Sequence, residues 1–169
     1  MRLGRKTNRV RAAAKTAVGL LANHAGQPLV EQFKRCHQWL IKTRGVVMTV
    51  ATLHPAQGQI TWMGVGNVEA LLLRADSRSK THADRVVLRS GLVGFQLPEL
   101  RPSTVSIAPA DLIVFATDGI EAGFSDGLVP GEPPQRLADH ILEHHFKGTD
   151  DALALVVRYL GIEHEQSGA

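Results

Sequence analysis

Cysteine is almost missing from this chain: Cys36 is the only one in 169 residues, so disulfides contribute nothing and a cysteine-based zinc site is excluded. Long apolar runs are missing too. The longest span residues 46–53 and 153–157, far short of the roughly 20 residues a membrane helix needs. Acid is missing from the first 30 residues, which carry Arg2, Arg5, Lys6, Arg9, Arg11 and Lys15 before the first carboxylate, Glu31. Such a stretch can be a nucleic-acid patch, an organellar transit peptide, or a solvated helix face that has lost a preceding segment. No aromatic residue stands among these cations to stack on bases, which favours the helix face. The basic start leads into an alanine-rich stretch interrupted by Lys15 and Asn23, so no signal peptide is expected. The expectation is a soluble, cytoplasmic protein with no nucleic-acid and no membrane partner.

What is present suits a packed domain. Hydrophobic residues make up 44% of the chain, an ordinary share for a globular protein, and neither repeats nor low-complexity tracts occur. Residues 9–24 place Val10, Ala13, Ala14, Ala17, Val18 and Leu21 on one face at helical spacing. A break at residues 24–28 precedes a second helix, 28–42, with Leu29, Phe33, Cys36, Leu40 and Ile41 inward. The period then changes. Strands are predicted over 46–53, 59–65, 70–74, 86–88, 105–107 and 112–117, with turns at 55–58 and 109–111 and a polar loop at 76–80. A helix over 133–146 follows Pro133-Pro134, and 152–159 is the last strand. Trp39, Trp62 and Phe33 fall on core-facing positions, Cys36 is a small core residue, and His54 and His82 lie in loops. Residues 45–118 leave no room for a crossover helix. The pattern is α+β, with hairpin-linked strands and segregated helices.

Two aspartates sit at the ends of apolar strands. Leu112-Ile-Val-Phe-Ala-Thr117 runs into Asp118-Gly119, and Gly148-Thr-Asp150-Asp151 runs into Ala152-Leu-Ala-Leu-Val-Val157. Carboxylates held on rigid strand ends can converge on a hard divalent cation, which can activate water for phosphoryl transfer. Each aspartate alone also reads as an ordinary turn or cap residue. A rival enzyme signal is His140-Ile-Leu-Glu-His144, the inverted zinc-protease pattern; it needs another protein ligand, only 25 residues follow it with no partner evident beyond Glu163 and Glu165, and a half-exposed helix side explains the pair more simply.

Several segments together resemble the PPM (type 2C) metal-dependent protein serine/threonine phosphatases, in their bacterial SpoIIE/RsbX-like branch. Ala116-Thr-Asp-Gly-Ile120, preceded by Pro109-Ala-Asp-Leu-Ile-Val-Phe115, is similar to the family's Asp-Gly motif. Gly148-Thr-Asp-Asp-Ala-Leu-Ala-Leu-Val-Val157 resembles its final Asp-Asp motif, and Gly64-Val-Gly-Asn67 its central glycine motif. Gly91-Leu-Val-Gly94 resembles its glycine turn, and Thr43-Arg-Gly-Val-Val-Met48 a segment of the short stressosome-linked members. The likeness implies a four-layer α-β-β-α sandwich of antiparallel sheets over residues 1–160, with 161–169 a polar tail. It implies two manganese or magnesium ions and a water that attacks phosphoserine or phosphothreonine without a covalent intermediate. Asp118 and Asp150 match the two later metal-binding aspartates, Asp151 a neighbour supporting the site, and Gly119 the turn beside the ion. The implied partner is a phosphorylated regulator, such as a STAS-domain anti-sigma antagonist or a stressosome scaffold.

The first motif departs from the family. Where Asp-Gly-x-Gly-His-Gly is expected, the chain reads Met1-Arg-Leu-Gly-Arg-Lys6; Leu3-Gly4 fits, and the bridging aspartate is replaced by Met1. The family's first two strands are absent as well. The expectation is an N-terminally truncated or degenerate copy, in which Arg2, Arg5 and Lys6 oppose divalent binding and uncovered sheet edges promote self-association. Two functions stay open: a phosphatase, and a non-catalytic pseudophosphatase that binds a phosphorylated partner.

Overall fold

The computed structural model describes residues 3–76 and 83–162, with side chains described from residue 11 onward. Three helices, α1 (Leu3–Asn23), α2 (Leu29–Leu40) and α3 (Pro134–His145), accompany eight strands. The strands are β1 (Met48–His54), β2 (Gln59–Val65), β3 (Glu69–Leu73), β4 (Ala83–Arg85), β5 (Leu88–Arg89), β6 (Ser103–Ser106), β7 (Leu112–Ala116) and β8 (Ala154–Arg158). They form two four-stranded sheets, one ordered β1-β2-β5 with β6 also on β2, the other β4-β3-β7-β8. The chain divides into two compact units.

The first unit comprises Met1–Thr52, Trp62–Glu69 and Val86–Ser103. Its core joins Ala13 and Ala17 of α1 to Leu29, Phe33, Cys36 and Leu40 of α2, and these to Val46, Met48, Met63, Val65 and Val93. Alanines at the α1 contact let the two helices approach closely, and α1 packs along α2. The helix break is held locally. The His24 ring caps the Leu20 carbonyl at 2.8 Å, and the buried Gln32 side chain donates to the Gln27 carbonyl at 2.7 Å. Pro28 then opens α2 without a helical N–H to satisfy. Gly66 and Gly94 both take positive φ, at 103° and 100°. A Cβ on Gly66 would lie 2.3 Å from the Val47 side chain, and one on Gly94 2.6 Å from Leu40. These contacts are the physical reason for glycine in both motifs.

The second unit comprises Leu53–Thr61, Ala70–Arg85 and Thr104–Ala169. Leu71, Leu73, Leu112, Val114 and Ala116 turn one sheet face towards Leu137 and Ile141 of α3, with Ile120 and Phe124 completing the cluster. Leu72 and Ile113, on the opposite face, are buried as well. Burial on both faces is why β3 and β7 read as unbroken apolar runs. The turn before β7 is pinned by Asp111, which is 2% exposed. Its carboxylate accepts the Ala75 and Ala108 N–H groups, each at 2.9 Å, and the Arg74 guanidinium at 3.1 Å. Arg74 also grips Asp84 and donates to the Ser106 carbonyl at 2.7 Å.

Several expectations are corrected. The predicted strand over 86–88 is not one element: Val86 and Val87 lie between two short strands in different sheets, of which β4 pairs antiparallel with β3, whereas β5 pairs parallel with β2 through Gly64↔Leu88 and Val65↔Arg89. The path through β3 and β4 supplies the long crossover that a parallel pair needs. Trp39 is 65% exposed and Ile41 59%, not core. The inward stripe of α2 runs through Leu29, Phe33, Cys36 and Leu40, and both residues sit one position off Leu40, about 100° round the helix. Ala14 and Val18 of α1 face solvent for the same reason, and Val10 lies outside the described side chains. α1 begins earlier than expected because nothing in residues 3–8 breaks a helix, though apolar periodicity starts only at Val10. His82 and most of the 76–80 loop lie outside the described residues.

Candidate active site at two strand ends

β7 and β8 pair antiparallel from Leu112↔Arg158 to Ala116↔Ala154. One residue further, the Thr117 N–H donates to the Leu153 carbonyl at 3.1 Å, and the Leu153 N–H returns to Thr117 Oγ1 at 2.9 Å. Register alone therefore brings Asp118, leaving β7, to the same sheet end as Asp150 and Asp151, entering β8. All three are exposed, whereas Gly119 between them is buried. A Cβ on Gly119 would stand 2.5 Å from the Asp151 carbonyl oxygen, so only glycine allows the two backbones this close.

The chain returning from α3 closes the site on its other side. Ile120 bridges Phe146, the Lys147 N–H donates to the Gly119 carbonyl at 3.0 Å, and the Glu121 N–H to the His145 carbonyl at 2.8 Å. The Lys147 ammonium donates to the Asp118 main-chain carbonyl at 2.6 Å, a charge-assisted bond that fixes the backbone beside the carboxylate. The Asp151 N–H donates to Asp150 Oδ1 at 2.8 Å, which orients the Asp150 carboxylate. Sequence reasoning missed Lys147; a lone lysine after a helix carries no pattern that marks it.

Two exposed carboxylates on rigid strand ends fit a hard ion that keeps most of its own waters, as magnesium does. Among the described residues no three His, Cys, Asp or Glu side chains are grouped to hold an ion, so these residues do not by themselves form a closed two-ion cage. Arg2, Arg5 and Lys6, expected beside this site, lie outside the described side chains. His140 and His144 stack at 4.3 Å between ring centres. The His144 Nδ1 lies 3.0 Å from the His140 carbonyl of its own helix, a local contact within α3.

The sequence profile of the Stage II sporulation protein E (SpoIIE) family matches residues 7–160. The chain belongs to the SpoIIE family. It is thereby a SpoIIE/RsbX-like member of the PPM phosphatases, a lineage of protein serine/threonine phosphatases and hence of hydrolases. Solved structures give the same fold. A chain from a structure on the bacterial stressosome, a modular system adapted to control secondary messenger signalling, is 25% identical over 87% of this chain and 76% of its own, with a TM-score of 0.73. RsbX in complex with magnesium is 18% identical over 86% and 71%, also at 0.73. The catalytic domain of the serine/threonine phosphatase PstP with two manganese ions is 13% identical over 89% and 81%, at 0.67. No curated protein matches by sequence. The α+β sandwich expected from the SpoIIE-like motifs is the fold these structures share. No described helix of this SpoIIE-family chain is long and apolar enough to cross a membrane.

Proposed function

We propose that this chain removes phosphate from serine or threonine of a phosphorylated bacterial signalling protein of the stressosome or anti-sigma-antagonist type, in the cytoplasm. In this reading residues 1–160 act as one phosphatase domain and 161–169 are a tail. The observation that carries it is the convergence of Asp118 with Asp150 and Asp151 at one end of β7 and β8. The stressosome context of one similar structure supports the partner class.

Asp118 and Asp150 would hold manganese or magnesium, which when bound supplies charge neutralisation and an activated water at neutral pH. The protein's own part is positional. Lys147 fixes the Asp118 backbone, the Asp151 N–H aims the Asp150 carboxylate, and Gly119 keeps the two strand ends in contact. Solvent exposure of all three aspartates gives a phosphorylated side chain on another protein direct access.

One observation favours a second reading. With no third ligating side chain grouped among the described residues, the chain can serve as a pseudophosphatase that binds a phosphorylated regulator without hydrolysing it. Manganese-dependent hydrolysis of an aryl phosphate by the purified 169-residue chain separates the two. Activity that vanishes in Asp118→Asn supports the phosphatase. A folded chain with no activity at any manganese concentration leaves the pseudophosphatase.

A further inference from the structure

We propose that the cleft between α1 and the 42–47 segment binds the phosphoryl group of a phosphorylated protein segment, together with an apolar side chain next to it. The inference builds on the reading that the partner is a phosphoprotein, and it holds for a phosphatase and a pseudophosphatase alike.

Two adjoining cavities lie within the first unit. One, of about 440 Å³, is lined by Ala12, Ala13 and Thr16 of α1 and by Lys42, Thr43 and Arg44. The other, of about 500 Å³, is lined by Ala14, Val46, Val47, Leu92 and Gly45, and it shares Arg44. The first is cationic and hydroxylic, with no carboxylate in its lining. The second is apolar, and Arg44 marks the boundary between them.

The charge balance selects the ligand. Lys42 and Arg44 are both exposed, and neither takes part in any ion pair or side-chain hydrogen bond found among the described residues. Arg11 and Lys15 of α1 add exposed positive charge on the neighbouring helix. The nearest carboxylate in sequence, Glu31, already pairs with Lys34 at 3.1 Å, and residues 1–30 contain no acid. Two unpaired cations beside a cavity are matched by a dianion, and a guanidinium matches phosphoryl oxygens in a bidentate manner.

The local backbone is built to hold this arrangement. Thr43 Oγ1 donates to the Leu40 carbonyl at 2.7 Å and accepts the Gly45 N–H at 3.0 Å, so the turn that carries Lys42 and Arg44 is fixed to the end of α2. The Val46 N–H and carbonyl then pair with Val93 at 2.8 and 2.9 Å. A free phosphate ion would use only the cationic cavity. The adjoining apolar cavity, with Val47 39% exposed, favours a phosphorylated peptide with a hydrophobic neighbour.

The test is binding, measured in an Asp118→Asn chain so that turnover does not interfere. The probes are a fluorescent phosphoserine peptide with leucine beside the phosphoserine, its unphosphorylated twin, and inorganic phosphate as competitor. The phosphopeptide is expected to bind at least about tenfold tighter than its unphosphorylated twin, through the charge-assisted contacts of its phosphoryl group, and tighter than inorganic phosphate, because only the peptide also fills the apolar cavity. Lys42→Gln with Arg44→Gln should cost about tenfold in affinity without altering the melting curve. Backbone amide shifts should concentrate on residues 43–47. Equal affinity in the double variant, shifts confined to other segments, or a peptide no tighter than inorganic phosphate would overturn the assignment. Loss or survival of aryl phosphate hydrolysis bears on the strand-end aspartates and leaves this binding result standing on its own.

Discussion

Asp118 and Asp150 are both exposed at the ends of strands. Replacing either with asparagine is expected to leave stability within about 0.5 kcal/mol while manganese-dependent hydrolysis falls by about two orders of magnitude. Kinetics paired with thermal melts of each variant check this. Asp111 behaves oppositely. It is buried and accepts Arg74 and two main-chain N–H groups, so Asp111→Ala leaves both N–H groups without their acceptor and removes one of the two carboxylates that hold Arg74, and should cost about 3 kcal/mol, read by urea unfolding. Cys36 is set by its surroundings: burial pushes its thiol above the ordinary value. A group whose folded-state value is raised contributes stability in full below its unfolded value and loses it as pH rises through the raised one. Stability should therefore decline at alkaline pH, less steeply in Cys36→Ala, and native-state iodoacetamide labelling should be slow.

At the scale of elements, the pairing of β7 with β8 creates the site, and the glycine between the aspartates sets how close the strand ends come. Gly119→Ala places a methyl group against the Asp151–Ala152 backbone, where neither side can yield by rotating a side chain. The expected cost is about 1–3 kcal/mol, with a parallel loss of hydrolysis because Asp118 and Asp150 move apart. Gly127, with no atom within 4 Å of an added Cβ but a positive φ, is a useful contrast. Its alanine variant carries backbone strain without steric contact and should spare activity. Chemical denaturation and initial rates on both variants separate the two effects.

For the whole molecule, the informative feature is the end of the second sheet. β8 has β7 on one side and no strand on the other among the described residues. Leu153, Leu155 and Val157 are 56%, 48% and 36% exposed. The unpaired main-chain groups of this edge strand are a template for pairing with another chain, and the three apolar side chains lie beside them on the sheet face opposite α3. Self-association that rises with concentration is expected in light scattering, and Leu155→Lys should reduce it. A monomer across the accessible range would count against the edge as a contact surface.

Much of this was legible in the residues themselves. Helical spacing located α2 and α3, and alternation and turn residues located β1, β2, β3, β7 and β8 to within a few residues. The two aspartate motifs marked the strand ends, because each lies directly beside an apolar run whose burial is a local property of composition. Tertiary structure alone decided the rest. It split residues 83–89 between two sheets, since partner choice is non-local. It turned Trp39 outward, because one position on a helix is about 100°. It joined Arg74, Asp84 and Asp111 from separate strands and turns into one partly buried network, and it set Lys147 against the Asp118 carbonyl. A chain can encode which residues prefer burial or a turn, but long-range pairing is fixed only when distant segments compete for the same hydrogen bonds and the same apolar surface.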